Sequence, residues 1–454
     1  MLLMRIFNKI IYFLDPSLRP HAYTLILLLV LNAFAESLTI ALIIPIIIFL
    51  FDNELASTYP EIISFIEFFS PLKYMSGNYG DQAIILSGLL GIFSLLIILR
   101  IIFNIMFLYF KSDLQLKTRF LITKKLLSGY FNIPHDKFSN KNNSNFAFST
   151  LTETQHISDC IGQLFILFAE IFLLICIFFV LLIFQTKITI FLTILVGTSS
   201  LIFIIFFKKK IHILALERRD GEEINHRQIY EMFDGYLEIK SYSSVSYFLK
   251  KHASNLKKYL SNLKFLEVLP GLPKLYLEFI SLISIIFLLS YMILNNFTQE
   301  IIISTLGLYV GAVFRLMPSI GKIINAIQNI KYFEPTLNGI LLDYKSIDEN
   351  NYFGQNKDKK YKMHTSIELS NISYGYKETE LVLKDLSLKI NKNQKIGIAG
   401  QSGCGKSTLI KIIAGLIKPY SGKFIIDNKK LIENDYLNLM NISFVPQNIF
   451  IVND

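Results

Sequence analysis

The chain of 454 residues is 52% hydrophobic and only 18% charged, against about 25% charged residues in soluble proteins. With a mean hydropathy of +0.46, it is a poor candidate for a soluble enzyme, a disordered chain or a fibre, and the bilayer is the simpler second solvent. The net charge of +10 suits a nucleic-acid binder or a membrane protein with basic loops. Cys160, Cys176 and Cys404 suggest no disulfide framework.

In chain order, Met1–Leu14 alternates apolar Leu2, Leu3, Ile6, Ile10, Phe13 and Leu14 with Arg5 and Lys9, which predicts a short amphipathic helix on the membrane surface. Asp15-Pro16 and Arg19-Pro20 end it, so residues 1–20 form a first region and no cleavable signal peptide. Six apolar stretches follow, each long enough to cross a bilayer as a helix: Ala22–Phe51, Gln82–Phe110, Cys160–Phe184, Ile188–Phe207, Leu275–Leu294 and Ile301–Ile330. Pro45 and Pro318 are tolerable there as kinks. Residues 21–330 therefore read as a six-span membrane domain.

Loop charges set its orientation. Asp52–Asp81 carries Lys73 alone against Asp52, Glu54, Glu61, Glu67 and Asp81. Lys111–Asp159 and Lys208–Glu267 hold most of the lysines and arginines, including Lys208-Lys209-Lys210 and Arg218-Arg219. The positive-inside rule makes these two long loops cytosolic, with both termini on the same side. The basic excess is thereby absorbed by topology, and no nucleic-acid partner is expected. Beyond Ile330 the chain turns polar, Asp343–Thr365 especially, so 331–365 is expected to be a linker. From Ser366 short strands are predicted at Ile367–Leu369, Leu386–Ile390, Lys395–Ala399, Lys423–Ile426 and Ile442–Val445, as at the start of an α/β domain over 366–454.

Gly400-Gln401-Ser402-Gly403-Cys404-Gly405-Lys406-Ser407-Thr408 has the Walker A spacing, between the predicted strand Lys395–Ala399 and a helical pattern from Leu409 to Ala414. The glycines let successive N–H groups face phosphates at a helix N-terminus. Lys406 is placed to reach β- and γ-phosphates, and Ser407 to ligate Mg²⁺. Upstream, Tyr374 and Tyr376 offer rings that can stack on a base. Downstream, the amide of Gln447 suits Mg²⁺ or its water. Taken singly, each of these is equally a core aromatic or a surface glutamine.

In this order the motifs resemble an ATP-binding cassette exporter half-transporter. The resemblance implies a type IV exporter fold: an all-α six-helix membrane domain followed by an incomplete P-loop nucleotide-binding domain. It implies ATP and Mg²⁺ as cofactors and a homodimer in the bacterial inner membrane. It assigns Tyr376 to adenine stacking, Gly400, Ser402, Gly403, Cys404, Gly405, Lys406, Ser407 and Thr408 to the phosphates, and Gln447 with Ser407 to the metal. The segments Pro134–Asn145 and Tyr230–Lys240 match its two coupling loops. Members continue with a signature motif, a Walker B Asp-Glu and a switch histidine, so no catalytic residue is assigned. The sequence up to Asp454 is expected to bind nucleotide weakly at most, as a truncated copy or a non-catalytic membrane fragment would.

The candidate charges in or beside the apolar stretches are Glu36, Arg100, Glu170, Lys274, Glu278 and Arg315. Intramembrane charge is a functional hypothesis by default, although Lys274 and Glu278, four apart, are equally suited to pair with each other. Ala35-Glu36-Ser37, Leu269–Glu278 and Phe314–Ser319 resemble the flippase of bacterial protein N-glycosylation, which moves a polyprenyl-pyrophosphate-linked oligosaccharide. That resemblance implies Arg100, Lys274 and Arg315 as headgroup contacts, with the apolar outer loop Tyr59–Met75 near the lipid tail. Export of another lipid, a peptide or a drug is the alternative.

Overall fold

The computed structural model describes all residues except 1, 52–65, 67, 72–80, 134–141, 185, 298, 350–362, 377–379, 431–442 and 446–454. Two compact units emerge: Met1–Thr123 with Phe148–Leu341, and Lys124–Ala147 with Leu342–Asp454.

Helices α1 (Leu2–Tyr12), α2 (Arg19–Phe51), α3 (Asp81–Asn132), α4 (Asn143–Ala147), α5 (Thr154–Phe184), α6 (Thr186–Asp234), α7 (Tyr236–Ser241), α8 (Val245–Val268), α9 (Leu272–Leu294) and α10 (Gln299–Glu349) carry the sequence up to residue 349. All six predicted spans lie on helices. Among the described residues, five helical segments are long and apolar enough to cross a membrane. The first unit is apolar on both sides. Ala33, Leu173, Ile177, Tyr309 and Val313 pack inside, as do Phe203, Leu277 and Ile324. Ile98, Ile101, Ile105, Ile202 and Ile286 face outward and exposed. A soluble helix would show a polar outer face, so this pattern matches a lipid-facing surface.

Three expectations change. Helix α1 forms, but Ile6, Ile10 and Phe13 are buried in the first unit, and Lys9 Nζ donates to Asn338 Oδ1 at 2.6 Å. Protein, rather than lipid, covers that side. The expected linker is helical as far as Glu349. Its Leu337, Ile340 and Ile347 are fully buried, which gives the segment an apolar periodicity that outweighs its polar composition. The third change concerns Lys395–Ala399, taken up with the site below.

A knot of polar side chains, unforeseen from sequence, fixes the part of the first unit beyond the apolar stretches. The residues Phe148–Glu153 form a π turn between α4 and α5. Glu153, 1% exposed, accepts from Arg219 Nε at 2.8 Å. Arg218, also 1% exposed, donates to Glu222 Oε2 at 3.1 Å and to Thr336 Oγ1 at 3.0 Å. Its Nη1 lies 2.9 Å from His156 Nδ1, and its guanidinium sits 4.4 Å above the Tyr332 ring. Tyr259 donates to Glu222 at 3.1 Å. One guanidinium thus joins α5, α6 and α10, and through Glu222 reaches α8. Burial pushes the Glu222 carboxyl above its ordinary range, while the Arg218 charge works against that rise.

In the second unit, β1 (Ser366–Tyr374), β2 (Leu383–Asn391), β3 (Ser421–Ile426) and β4 (Lys429–Lys430) form a sheet ordered β2-β1-β3-β4, antiparallel throughout. Helix α11 (Lys406–Ile413) joins their core through Leu409 and Ile412, against Ile367, Leu369, Ile372, Tyr374 and Phe424. Asp427 and Asn428 both take positive φ, 47° and 64°, as the two-residue turn between β3 and β4 requires. The Asp427 carboxylate accepts from the backbone N–H groups of His364 (2.6 Å), Thr365 (2.6 Å) and Ser366 (3.0 Å) and from the Thr365 hydroxyl (2.7 Å). The turn thereby holds the start of β1. In the same unit Tyr130 donates to Asp343 Oδ2 at 2.8 Å, and Lys125 Nζ lies 4.0 Å from the centre of the Tyr344 ring.

Candidate functional site

The phosphate loop is built by its glycines. Gly403 and Gly405 adopt φ of 82° and 95°, a region costly for any side chain. A Cβ at Gly405 would also stand 2.9 Å from Leu383 Cδ2, and one at Gly400 would stand 2.7 Å from Cys404 Sγ. Gly405 caps α11, so the loop delivers free N–H groups and the positive end of a helix dipole to one point.

Lys406 already lies across that point. Its Nζ donates to the carbonyls of Gly400 at 2.8 Å and Gln401 at 2.6 Å, and lies 3.8 Å from Cys404 Sγ. These are weak neutral acceptors, which an anionic phosphate outcompetes. Ser402, Gly403, Cys404 and Ser407 are exposed, whereas Thr408 is buried. Tyr376, remote in sequence, is brought here: its hydroxyl lies 3.3 Å from Thr408 Oγ1. Its ring is more than half exposed and stands edge-on to the buried Tyr374, with centroids 5.5 Å apart. Loop, ammonium, exposed hydroxyl and open aromatic ring fit a nucleoside polyphosphate. Lys406 and the loop N–H groups would hold the phosphates, Ser407 a Mg²⁺ and Tyr376 the base. Such a complex supplies a phosphoanhydride that can be split, with the metal neutralising charge on its oxygens. Gln447 lies outside the described residues.

The segment before the loop departs from expectation. Lys395–Ala399 has no strand partner among the described residues, and it is exposed throughout, Ile396 and Ile398 included. A strand exists through its ladder, and the antiparallel β2-β1-β3-β4 sheet does not include this segment. At the other end Ser443–Val445 also lacks strand structure, and Ile442 lies outside the described residues.

The intramembrane charges are largely compensated. Arg100 Nη2 lies 3.2 Å from Glu36 Oε1, and Lys274 Nζ lies 3.8 Å from Glu278 Oε1 on the same helix. Glu170 accepts from Lys322 Nζ at 2.6 Å. Sequence reasoning passed over Lys322, although it stands inside the sixth apolar stretch, itself the signal that finds such residues. Arg315 lies on α10. Of the first segment matched to a coupling loop, 134–141 falls outside the described residues, as does most of the outer loop Tyr59–Met75. Tyr230–Lys240 is seen as the end of α6, a break at Gly235 and α7.

With this geometry in hand, the class is an α-helical membrane unit joined to part of a P-loop nucleotide-binding domain. Residues 383–454 match the family model described as ABC transporter. A putative ABC transporter ATP-binding protein of Clostridium tetani is 39% identical over 88 residues, which is 19% of this chain and 20% of that protein. The nickel import system ATP-binding protein NikE of Staphylococcus aureus is 42% identical over 66 residues, 14% of this chain and 28% of that protein. The chain thus spans less than a third of the length of these curated relatives. Among solved structures, that of a bacterial Atm1-family ABC exporter with ATP bound shares the fold with a TM-score of 0.67, at 14% identity, over 93% of this chain and 71% of that one.

Proposed function

We propose that the chain is a subunit of an ATP-driven ABC exporter, working as a homodimer in the bacterial inner membrane with both termini cytosolic, and that its cargo is a polyprenyl-pyrophosphate-linked oligosaccharide. The observation that carries the nucleotide part is Tyr376 tethered at 3.3 Å to Thr408 beside a preformed phosphate loop. ATP and Mg²⁺ are the cofactors this reading requires, at Tyr376, Gly400–Thr408 and Gln447. In the transport cycle ATP closes paired cassettes, and the segments Pro134–Asn145 and Tyr230–Lys240 pass that motion to the membrane helices. The exposed Phe233, Tyr236, Leu237 and Tyr242 around α7 are suited to such a docking contact.

The cargo reading rests on Arg100, Lys274 and Arg315 as contacts for an anionic headgroup, which an apolar interior must neutralise. The pairing of Arg100 with Glu36 and of Lys274 with Glu278 favours a second reading, in which these are structural pairs and the exporter carries another lipid, a peptide or a drug. The test is translocation of a pyrophosphate-linked glycolipid in proteoliposomes of the whole transporter. Arg100→Ala combined with Glu36→Gln, which avoids stranding a buried carboxylate, is expected to lower flipping several-fold while leaving ATP turnover in place, as is Arg315→Ala. Flipping at the unmodified rate in both variants would retire the cargo assignment without touching the ATP site.

A further inference from the structure

Lys322 on α10 and Glu170 on α5 meet inside the apolar stretches, Nζ donating to Oε1 at 2.6 Å. Lys322 stands eight residues before Ile330 and Glu170 ten after Cys160, so both lie about 12–15 Å from the cytosolic ends of their spans at 1.5 Å per residue. The two halves of the pair are unequal. The Lys322 side chain is 60% exposed, and a charge at that depth faces a polar path rather than lipid. Its ammonium carries three donors, of which Glu170 engages one. Glu170 is 8% exposed, and its second oxygen, Oε2, is buried without a hydrogen-bond partner among the described residues. The pair therefore offers donors outward and keeps one acceptor unserved inside.

An unserved carboxylate oxygen in an apolar interior is costly. A hydroxyl of a ligand relieves that cost, and an oxyanion takes the outward donors of Lys322. A bare anion does only half of this, because by drawing the ammonium away it strands the carboxylate. Resting on the cargo reading above, we propose that Lys322 and Glu170 form a further headgroup site, which binds a phosphate oxyanion at Lys322 and a sugar hydroxyl at Glu170. The exposed ammonium meets the phosphate first, and its swing toward that phosphate uncovers the enclosed oxygen for the hydroxyl. The site thereby selects a glycosylated pyrophosphate lipid over the same lipid without its sugar, since a site built around a hydrogen bond rejects the analogue that cannot make it.

The test measures equilibrium binding of two radiolabelled lipids to the full chain in phosphatidylcholine nanodiscs: a polyprenyl-pyrophosphate-linked disaccharide and the bare polyprenyl pyrophosphate. The unmodified chain is expected to bind the glycolipid about tenfold tighter. Glu170→Leu should erase that preference. It leaves only the mostly exposed Lys322 without its partner and is expected to fold, which its thermal transition reports. Adding Lys322→Met to Glu170→Leu strands no charge and should weaken both lipids by about a further tenfold. A merely structural pair would move stability and leave the ratio of the two affinities alone. Equal affinity of the unmodified chain for the two lipids, or a preference that survives Glu170→Leu, would overturn the headgroup site while leaving the cargo reading intact. Binding of neither lipid would overturn the cargo reading itself, and the site with it.

Discussion

Lys406 and Arg218 are both cations held by several acceptors, yet they stand in opposite situations. Lys406 rests on two backbone carbonyls at the surface, neutral partners that a stronger anion can displace. Arg218 is buried and bonded to Glu222, Thr336 and His156, partners that nothing replaces. The first arrangement is suited to receiving a ligand and the second to fixing helices. Charge in this molecule is therefore informative only together with the partner that balances it, and Arg100 and Lys274, each beside a carboxylate, fall between the two extremes.

The sharpest way to break the comparison is Arg218→Ala. It strands Glu222 in a buried position, and losing one member of such a pair costs about 3–5 kcal/mol. Thermal unfolding in detergent should show a large drop, and Arg218→Met with Glu222→Leu a much smaller one. The sign of the pH dependence is fixed as well. Burial already raises the Glu222 carboxyl, and without Arg218 only the Tyr259 hydrogen bond and the His226 charge still oppose the rise. The protonated acid needs no counter-ion, so the damage should shrink as pH falls and grow as pH rises through the raised value. An Arg218→Ala protein as stable as the parent at neutral pH would mean that the knot fixes nothing.

The next effect is on ligand rather than on fold. Lys406→Met removes a charge-assisted contact of about 1.5–3 kcal/mol, so affinity for a fluorescent ATP analogue should fall by roughly 10- to 150-fold. Thermal unfolding should hardly move, because the lost partners are carbonyls that water can serve. A stability loss comparable with that of Arg218→Ala would erase the distinction between the two cations.

The difference also explains what could be read from sequence. The phosphate loop is local: Gly400, Gly405, Lys406 and Ser407 fall within eight consecutive positions, and their spacing alone dictates backbone shape. The spans are legible for a similar reason, since an apolar run needs no partner to declare itself. The Arg218 knot was invisible because His156 and Thr336 lie 62 and 118 positions away. Lys395–Ala399 failed in the reverse sense, because an apolar strand pattern says nothing about whether a ladder partner exists. The segment 331–349 misled because its polar residues masked the helical spacing of Leu337, Ile340 and Ile347.

Asp427 sharpens the contrast from the side of the anion, with the smallest expected effect. It lies at the surface, yet the Thr365 hydroxyl and then the His364 N–H, with further backbone donors, hold its carboxyl well below the usual carboxylate range. Fixed donors at the surface lower this carboxyl, whereas burial raises that of Glu222 beside Arg218. A lowered value means that the clamp is fully present above the ordinary aspartate value of about 3.9 and is lost as pH falls through the lowered one. Asp427→Ala should therefore speed amide hydrogen exchange at His364, Thr365 and Ser366 at neutral pH. Nucleotide affinity should stay unchanged, because Tyr376 follows the opposite end of β1. Unaltered exchange at those three amides would show that the ladder of β1 with β2 and β3 holds the strand's start without the clamp. A fall in nucleotide affinity would show instead that the strand carries strain from one end to the other, and that the phosphate loop is less self-contained than its local sequence implies.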